Sequence, residues 1–397
     1  MKDVTKLGYI ADIYDGPHAT PKKIENGKYF LSISSLDNGS LDLSKSAFIS
    51  DKDFIKWTKR VQPQKGDLLF SYETRLGEAA LMPDNLQACL GRRMGLLRPK
   101  EDKVIPQYLL FAYLSPEFQK VIRKNTIKGA TVDRIALNEL GNFPIYIPDL
   151  KTQQSIAAVL SALDKKIALN KQINARLEEM AKTLYDYWFV QFDFPDANGK
   201  PYKSSGGEMV FDETLKRKIP KGWEVKNLGD WAEIRKGTLI TEKTANTNGD
   251  IKVISAGVDF SYYHDVANRP RNTITISASG ANAGFVNFWR EPIFACDCTT
   301  ITNRVIGSTL YILNFLKIVQ DFIYQQARGS AQPHVYPKDI EGLKIIVPPD
   351  LLLKRFSKFV ENWNLKIANN EKQNHQLTQL RDFLLPMLMN GQVSVAE

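Results

Sequence analysis

With 397 residues, 43% of them hydrophobic and 24% charged, the chain can bury ample core and is long enough for two or three domains. No apolar run approaches the roughly 20 residues that span a bilayer, and Met1-Lys2-Asp3-Val4 lacks the basic-then-apolar order of a secretory signal, so a cytoplasmic location is expected. The formal charge of +9 favours an anionic partner, nucleic acid first, but it is spread as +4 over residues 1–150, +2 over 151–206, +1 over 207–350 and +2 over 351–397, so charge alone does not establish DNA binding.

In chain order, a first head over 1–150 carries short β-branched and aromatic runs, Tyr29–Ile33 and Gly66–Ser71, that read as strands, and then helical apolar spacing over Tyr108–Ile122. A long helix follows over 151–193, then a linker over 194–218, whose stretch Phe194–Gly207 is rich in Pro, Gly, Ser and Asp. The second head, 219–350, repeats the theme with strands at Thr273–Ser277 and Gly284–Phe288 and one helix over Tyr311–Gln325, and a second long helix fills 351–391. Both heads are therefore expected to mix α and β. Cys89, Cys296 and Cys298 cannot build a disulfide framework and lack zinc-finger spacing, so they read as reduced thiols.

Self-comparison organises the chain more firmly than any single motif. At an offset of 200, Gly129…Leu140…Phe143…Ile145…Ile147-Pro148 recurs as Gly329…Ile340…Leu343…Ile345…Val347-Pro348, and Lys166, Ile167, Ala168, Asn170, Asn174, Leu177 and Leu184 meet identical residues in the second copy. Each unit opens alike, Leu7-Gly8…Ala11…Ile13…Gly16 matching Leu228-Gly229…Ala232…Ile234…Gly237 at an offset of 221, so the heads differ in length by 21 residues.

Positions 156, 160, 163, 167, 170, 174, 177, 181, 184 and 188 alternate spacings of four and three, and the second copy repeats the stripe from Phe356 to Leu388. That is a heptad seam. Asn170 and Asn174 on one helix, and Asn370 and Asn374 on the other, are expected to set register, because only the matched alignment gives a seam amide a hydrogen-bonding mate. The two helices should pair with each other; at 1.5 Å per residue about 38 residues extend roughly 57 Å.

Three loops per head combine glycine, for close backbone approach, with Arg, Lys, His, Ser or Thr donors. In the first head the candidate DNA contacts are His18, Thr20, Lys22 and Lys23; Ser71, Tyr72, Thr74 and Arg75; and Lys128, Thr131 and Arg134. In the second they are Lys236 and Thr238; Ser277, Ser279 and Asn282; and Arg328, Ser330, Gln332 and His334. Arginine reads guanine and Asn or Gln reads adenine in the major groove, so Arg75, Arg134, Asn282 and Gln332 are the base-reading candidates, with lysines on phosphates. His18, His264, His334 and His375 show no metal or catalytic spacing.

This pattern resembles the specificity (S) subunit of Type I restriction-modification systems over essentially the whole chain. The residues that carry the match are Ile145-Tyr146-Ile147-Pro148-Asp149-Leu150…Gln153-Gln154…Ile156…Leu160…Asp164…Ile167 with their second-copy partners, and the opening Ile219-Pro220-Lys221-Gly222-Trp223 of the second head. The resemblance implies an α+β fold with two target-recognition domains, separated by two long helices that pair as an antiparallel coiled coil with a pseudo-two-fold repeat. It further implies that each head reads one half of a split double-stranded DNA target and that helix length fixes the gap. Two methylation subunits would dock on the helices, with separate motor-nuclease restriction subunits. S-adenosylmethionine, ATP and Mg²⁺ would belong to those partners, which methylate a flipped adenine or cleave unmodified DNA. The second copy departs at Leu351-Leu352-Leu353-Lys354, against Lys151-Thr152-Gln153-Gln154, and at Asn364 against Asp164, so docking is expected to be unequal.

Enzyme readings find little support. The only Pro-Pro pair, Pro348-Pro349, is not in a methyltransferase tetrad, and neither Gly27-Lys28 nor Gly199-Lys200 has the upstream glycine of a phosphate loop. Asp84 with Glu101-Asp102-Lys103 has loose nuclease-like spacing but falls in a charged turn. The remaining alternative is a coiled-coil structural adaptor without sequence-selective DNA binding.

Overall fold

A computed structural model describes residues 4–129, 131–327 and 333–395. The chain divides into two compact units, Met1–Ala168 with Asn374–Glu397, and Leu169–Gln373, so each unit holds one head and a portion of each long helix.

In the first unit a four-stranded antiparallel sheet runs in the order Ala11–Asp15, Met94–Pro99, Leu68–Ser71, Ala79–Leu81. A second sheet places Lys28–Leu31 between Ala47–Ile49 and Ala88–Leu90, parallel to the latter, and Val4–Lys6 pairs with Pro144–Tyr146. The expected helix over Tyr108–Ile122 is in fact two, Pro106–Leu114 and Pro116–Lys124. Pro116 has no N–H to continue the first helix, and the Ser115 hydroxyl accepts from the Phe118 amide to start the second. Leu7, Ile10, Tyr108, Tyr113 and Ile145 form one core with Ile156 and Leu160 from the start of the first long helix and Leu388 and Met389 from the end of the second.

The second unit repeats this design. Its four-stranded sheet runs Ala232–Lys236, Cys298–Asn303, Thr273–Ser277, Val286–Trp289; Ile251–Ile254 lies parallel to Ile293–Ala295 and antiparallel to Tyr262–His264; Glu224–Asn227 pairs with Lys344–Val347. Here too the single expected helix is divided, into Thr309–Ile318 and Gln320–Gln325. Phe356 and Val360 stand where Ile156 and Leu160 stand in the first copy, joined by Tyr185, Trp188 and Phe189 from the end of the first long helix. The Tyr311 hydroxyl donates to the Ile346 carbonyl at 2.6 Å as Tyr108 donates to Tyr146 at 3.1 Å.

The stretch Phe194–Gly207, expected as a linker, is folded. Phe194 stacks on Tyr202 and Trp223 at 4.7 and 5.0 Å, and Asp193 accepts from the Ser204 hydroxyl and amide, which hold its carboxyl below the usual range. A hairpin, Met209–Asp212 with Arg217–Pro220, follows. The turn-forming residues are real, but burial of the interleaved aromatics outweighs them.

The long helices span Leu150–Tyr185, extended by one π-helical turn over Asp186–Val190, and Asp350–Met389. Every seam position expected from the heptads is buried or half-buried. In the first unit Arg381 pairs with Asp164 at 3.0 Å and the Asn374 amide donates to the Ile167 carbonyl at 3.3 Å. In the second unit Asn170 donates to Gln373 and Asn370 to Asn174, each at 2.8 Å. Within each unit the partner number falls as the other rises, which is an antiparallel pair in register. Asn170, Asn174, Asn370 and Asn374 thus all find hydrogen-bond partners across the seam or at its edge.

Two of the departures between copies face their own unit. Gln153 is buried, accepting from the Ile105 amide and donating to the carbonyls of Lys103 and Pro148, whereas Leu353 is buried in the second core. Asn364, unlike Asp164, meets a cation from its own head: Arg290 Nε donates to it at 2.7 Å.

Candidate nucleic-acid interface

In the first head the register Gly95↔Asp15 and Met94↔Ser71 brings the end of one strand, the start of the next and the end of a third to a single rim of the sheet. The loops carrying His18 to Lys23 and Tyr72 to Arg75 leave from it. The third expected loop is stitched to the second: the Ile135 amide donates to the Tyr72 carbonyl at 2.9 Å, the Thr74 amide to the Asp133 carbonyl at 3.2 Å, and the Glu73 and Arg134 backbones form an isolated antiparallel β-bridge. All three loops of this head therefore converge.

His18, Thr20, Lys22, Lys23, Thr74, Lys128, Thr131 and Arg134 are exposed on these loops. His18 Nε2 lies 3.1 Å from Asp15, which also pairs with Arg60. Lys22 and Lys23 make no ion pair among the described residues. Other expected contacts are corrected by their surroundings. Ser71 is buried and donates to the Glu73 carbonyl at 2.6 Å; Tyr72 is buried, its hydroxyl pushed up by burial and by the charges of Asp15 and Glu73. Arg75 is turned into its own head, donating to the carbonyls of Ile33 and Leu36 at 2.9 Å and to Glu78 at 3.1 Å, so it clamps the loop rather than presenting a free fork.

Residues missed in the sequence complete the rim. The turn Gly91-Arg92-Arg93 enters the strand Met94–Pro99, with Arg92 exposed and Arg93 Nε 2.9 Å from Glu73. Thr74 sits at φ 69° in the left-handed region, a strained setting for a β-branched residue.

The second head builds the same rim. Gly237 donates to the Cys298 carbonyl at 2.8 Å as Gly16 does to Met94 at 2.9 Å; in both, a Cβ would collide with the opposite turn. Val335 donates to Ala278 at 3.0 Å, Gly280 to Pro333 at 3.1 Å, and Ser279 bridges to His334, matching the three links of the first head. Gly280, at φ 75°, takes the place of Thr74. Lys236, Thr238 and Asn282 are exposed and His334 is half-buried, stacked on Tyr336. Ser277 is buried, donating to the Gly257 carbonyl at 2.9 Å, and Ser279 donates to Asp297 at 2.5 Å, so both shape the rim from within. Arg328, Ser330 and Gln332 lie outside the described residues.

Asp84 is paired with Lys65 at 2.7 Å, which holds its carboxyl below the usual range, and Lys103 lies over the Tyr9 ring at 3.6 Å. Among the described residues no group of three His, Cys, Asp or Glu side chains could hold a metal ion, and no helix is long and apolar enough to cross a membrane.

The family model described as the Type I restriction modification DNA specificity domain matches residues 2–179 and again 220–379. The chain belongs to the Type I DNA specificity family. It is a specificity subunit, a non-catalytic role devoted to DNA specificity. Its relatives include the Type I restriction enzyme MjaIX specificity subunit of Methanocaldococcus jannaschii, 27% identical across 96% of this chain and 88% of that one. Another is the HindI specificity subunit of Haemophilus influenzae, 25% identical across 83% and 87%. The crystal structure of a Type I S subunit from M. genitalium shares the fold with a TM-score of 0.59 at 16% identity, over 97% of this chain and 95% of that one. The two family matches coincide with the two heads and the greater part of the long helix that follows each, so the duplication visible in the sequence is the duplication of the family domain.

Proposed function

We propose that each head reads one half of a split double-stranded DNA target through its sheet rim, and that the paired helices set the gap between the half-sites. Two methylation subunits dock on the helices and restriction subunits join them; S-adenosylmethionine, ATP and Mg²⁺ belong to those partners, and the chain supplies the address. The observation that carries this reading is that two rims with the same backbone hydrogen bonds present different side chains. A common scaffold with different donors and acceptors is what two unlike half-sites require. In the first head, exposed Lys22, Lys23, Arg92, Lys128 and Arg134 suit phosphates and guanine edges; in the second, Lys236, Thr238 and Asn282 accompany Asp297.

The test is co-expression with the methylation subunit, followed by mapping methylated adenines in host DNA with and without this chain. A split motif that appears only with the chain supports the proposal. A stable protein complex with absent or unsplit methylation would favour a coiled-coil adaptor instead.

A further inference from the structure

The two rims share a backbone but invert a charge at one position. Met94 pairs with Ser71 in the first head and Cys298 with Ser277 in the second, so the residues just before them, Arg93 and Asp297, are structural equivalents. Each is tied to the same place on the neighbouring loop, Arg93 to Glu73 and Asp297 to Ser279. In the first head the turn is cationic, its second arginine, Arg92, facing solvent. In the second head the turn presents a half-exposed carboxylate, and among the described residues no Lys, Arg or His forms an ion pair with it.

A carboxylate without a cation is repelled by the phosphates of a duplex laid against this rim. It is tolerated there when it accepts a hydrogen bond from a base, and the major-groove donors are the exocyclic amino groups of cytosine and adenine. The Ser279 hydroxyl donates to one Asp297 oxygen and fixes the carboxylate's orientation, and among the described residues no side chain donates to the other oxygen. We infer that Asp297 is a specificity-determining residue of the second head, accepting from the exocyclic amino group of one cytosine or adenine in that head's half-site. This rests on the reading that the rims face DNA.

The experiment uses the whole specificity–methylation complex and compares methylation motifs for the wild type, Asp297→Asn and, as a control in the other head, Arg92→Ala. Asp297→Asn keeps the size and the Ser279 bond while replacing an acceptor-only group. One position of the second half-site, cytosine or adenine in the wild-type motif, should lose about tenfold or more of its selectivity. The first half-site and the gap should not change. Arg92→Ala should leave the second half-site intact. A wild-type motif that is split but unaltered by Asp297→Asn, or a uniform loss of methylation at every site without relaxation of one position, overturns the inference while leaving the half-site reading standing. A wild type with no split motif removes both.

Discussion

Replacing Arg290 by methionine should loosen the second unit in a pH-dependent way. The guanidinium, only 11% exposed, donates to Asn364 at 2.7 Å, to Glu371 at 2.8 Å and to Glu178 at 2.8 Å, tying the strand end at Trp289 to both long helices within that unit. Breaking a fully buried pair costs about 3–5 kcal/mol, but the Glu178 and Glu371 side chains are 46% and 48% exposed and would recover water. About 2 kcal/mol is therefore expected, or a fall of roughly 4–8 °C in the unfolding midpoint of a unit this size. Burial already raises the Glu371 carboxyl above its ordinary range, Arg290 opposes that shift, and Glu178 adds to it. Without Arg290 the Glu371 value rises further. An acid whose folded pKa exceeds its unfolded one favours folding below that range, and the contribution is lost as pH rises through it. The deficit of Arg290→Met should thus be smaller at about pH 5 than at about pH 7.5. Calorimetry at the two pH values is the assay. Equal deficits at both, or a shift below about 1 °C, would refute the reasoning.

Two further perturbations bear on the scaffold. Thr74→Gly should raise stability by about 0.5–1 kcal/mol, since the left-handed φ strains threonine while the equivalent position is glycine in the second head; a lowered urea midpoint would contradict it. Asn370→Leu should cost about 1–2 kcal/mol by leaving the Asn174 amide facing a methyl group, and the double replacement Asn174→Leu/Asn370→Leu should recover most of it. Strictly additive losses would show that the two amides are not coupled.

The parts of the fold legible in the sequence are those written locally or by repetition. The heptads from Ile156 to Trp188 and from Phe356 to Leu388 identify the helices and their buried stripes because a 3.5-residue period needs no knowledge of distant partners. The offset of 200 likewise exposes Ile145 and Ile345 as equivalents, and both are buried strand residues. The rim was legible only in part. Its loops could be picked out by glycine and donors, but their convergence depends on Met94–Pro99 inserting between Ala11–Asp15 and Leu68–Ser71, a long-range crossover with no local signature. Arg92 and Asp297 carry no such signal, because each sits in a turn of only two or three residues between consecutive strands rather than in a longer donor-rich loop. Ser71 and Ser277 read in the sequence as loop donors, yet they end strands whose every residue is buried. Ser115-Pro116 is a readable helix boundary, a capping hydroxyl followed by a proline, but the apolar spacing runs on across it and reads as one helix.

The central claim, that each head reads its own half-site, is tested most directly by exchanging residues 1–150 for the first head of another family member and mapping methylated adenines produced with the same methylation subunits. The account predicts a new first half-site with the second half-site and the gap unchanged. A motif altered in both halves, or in neither while the complex still assembles and methylates, would contradict it.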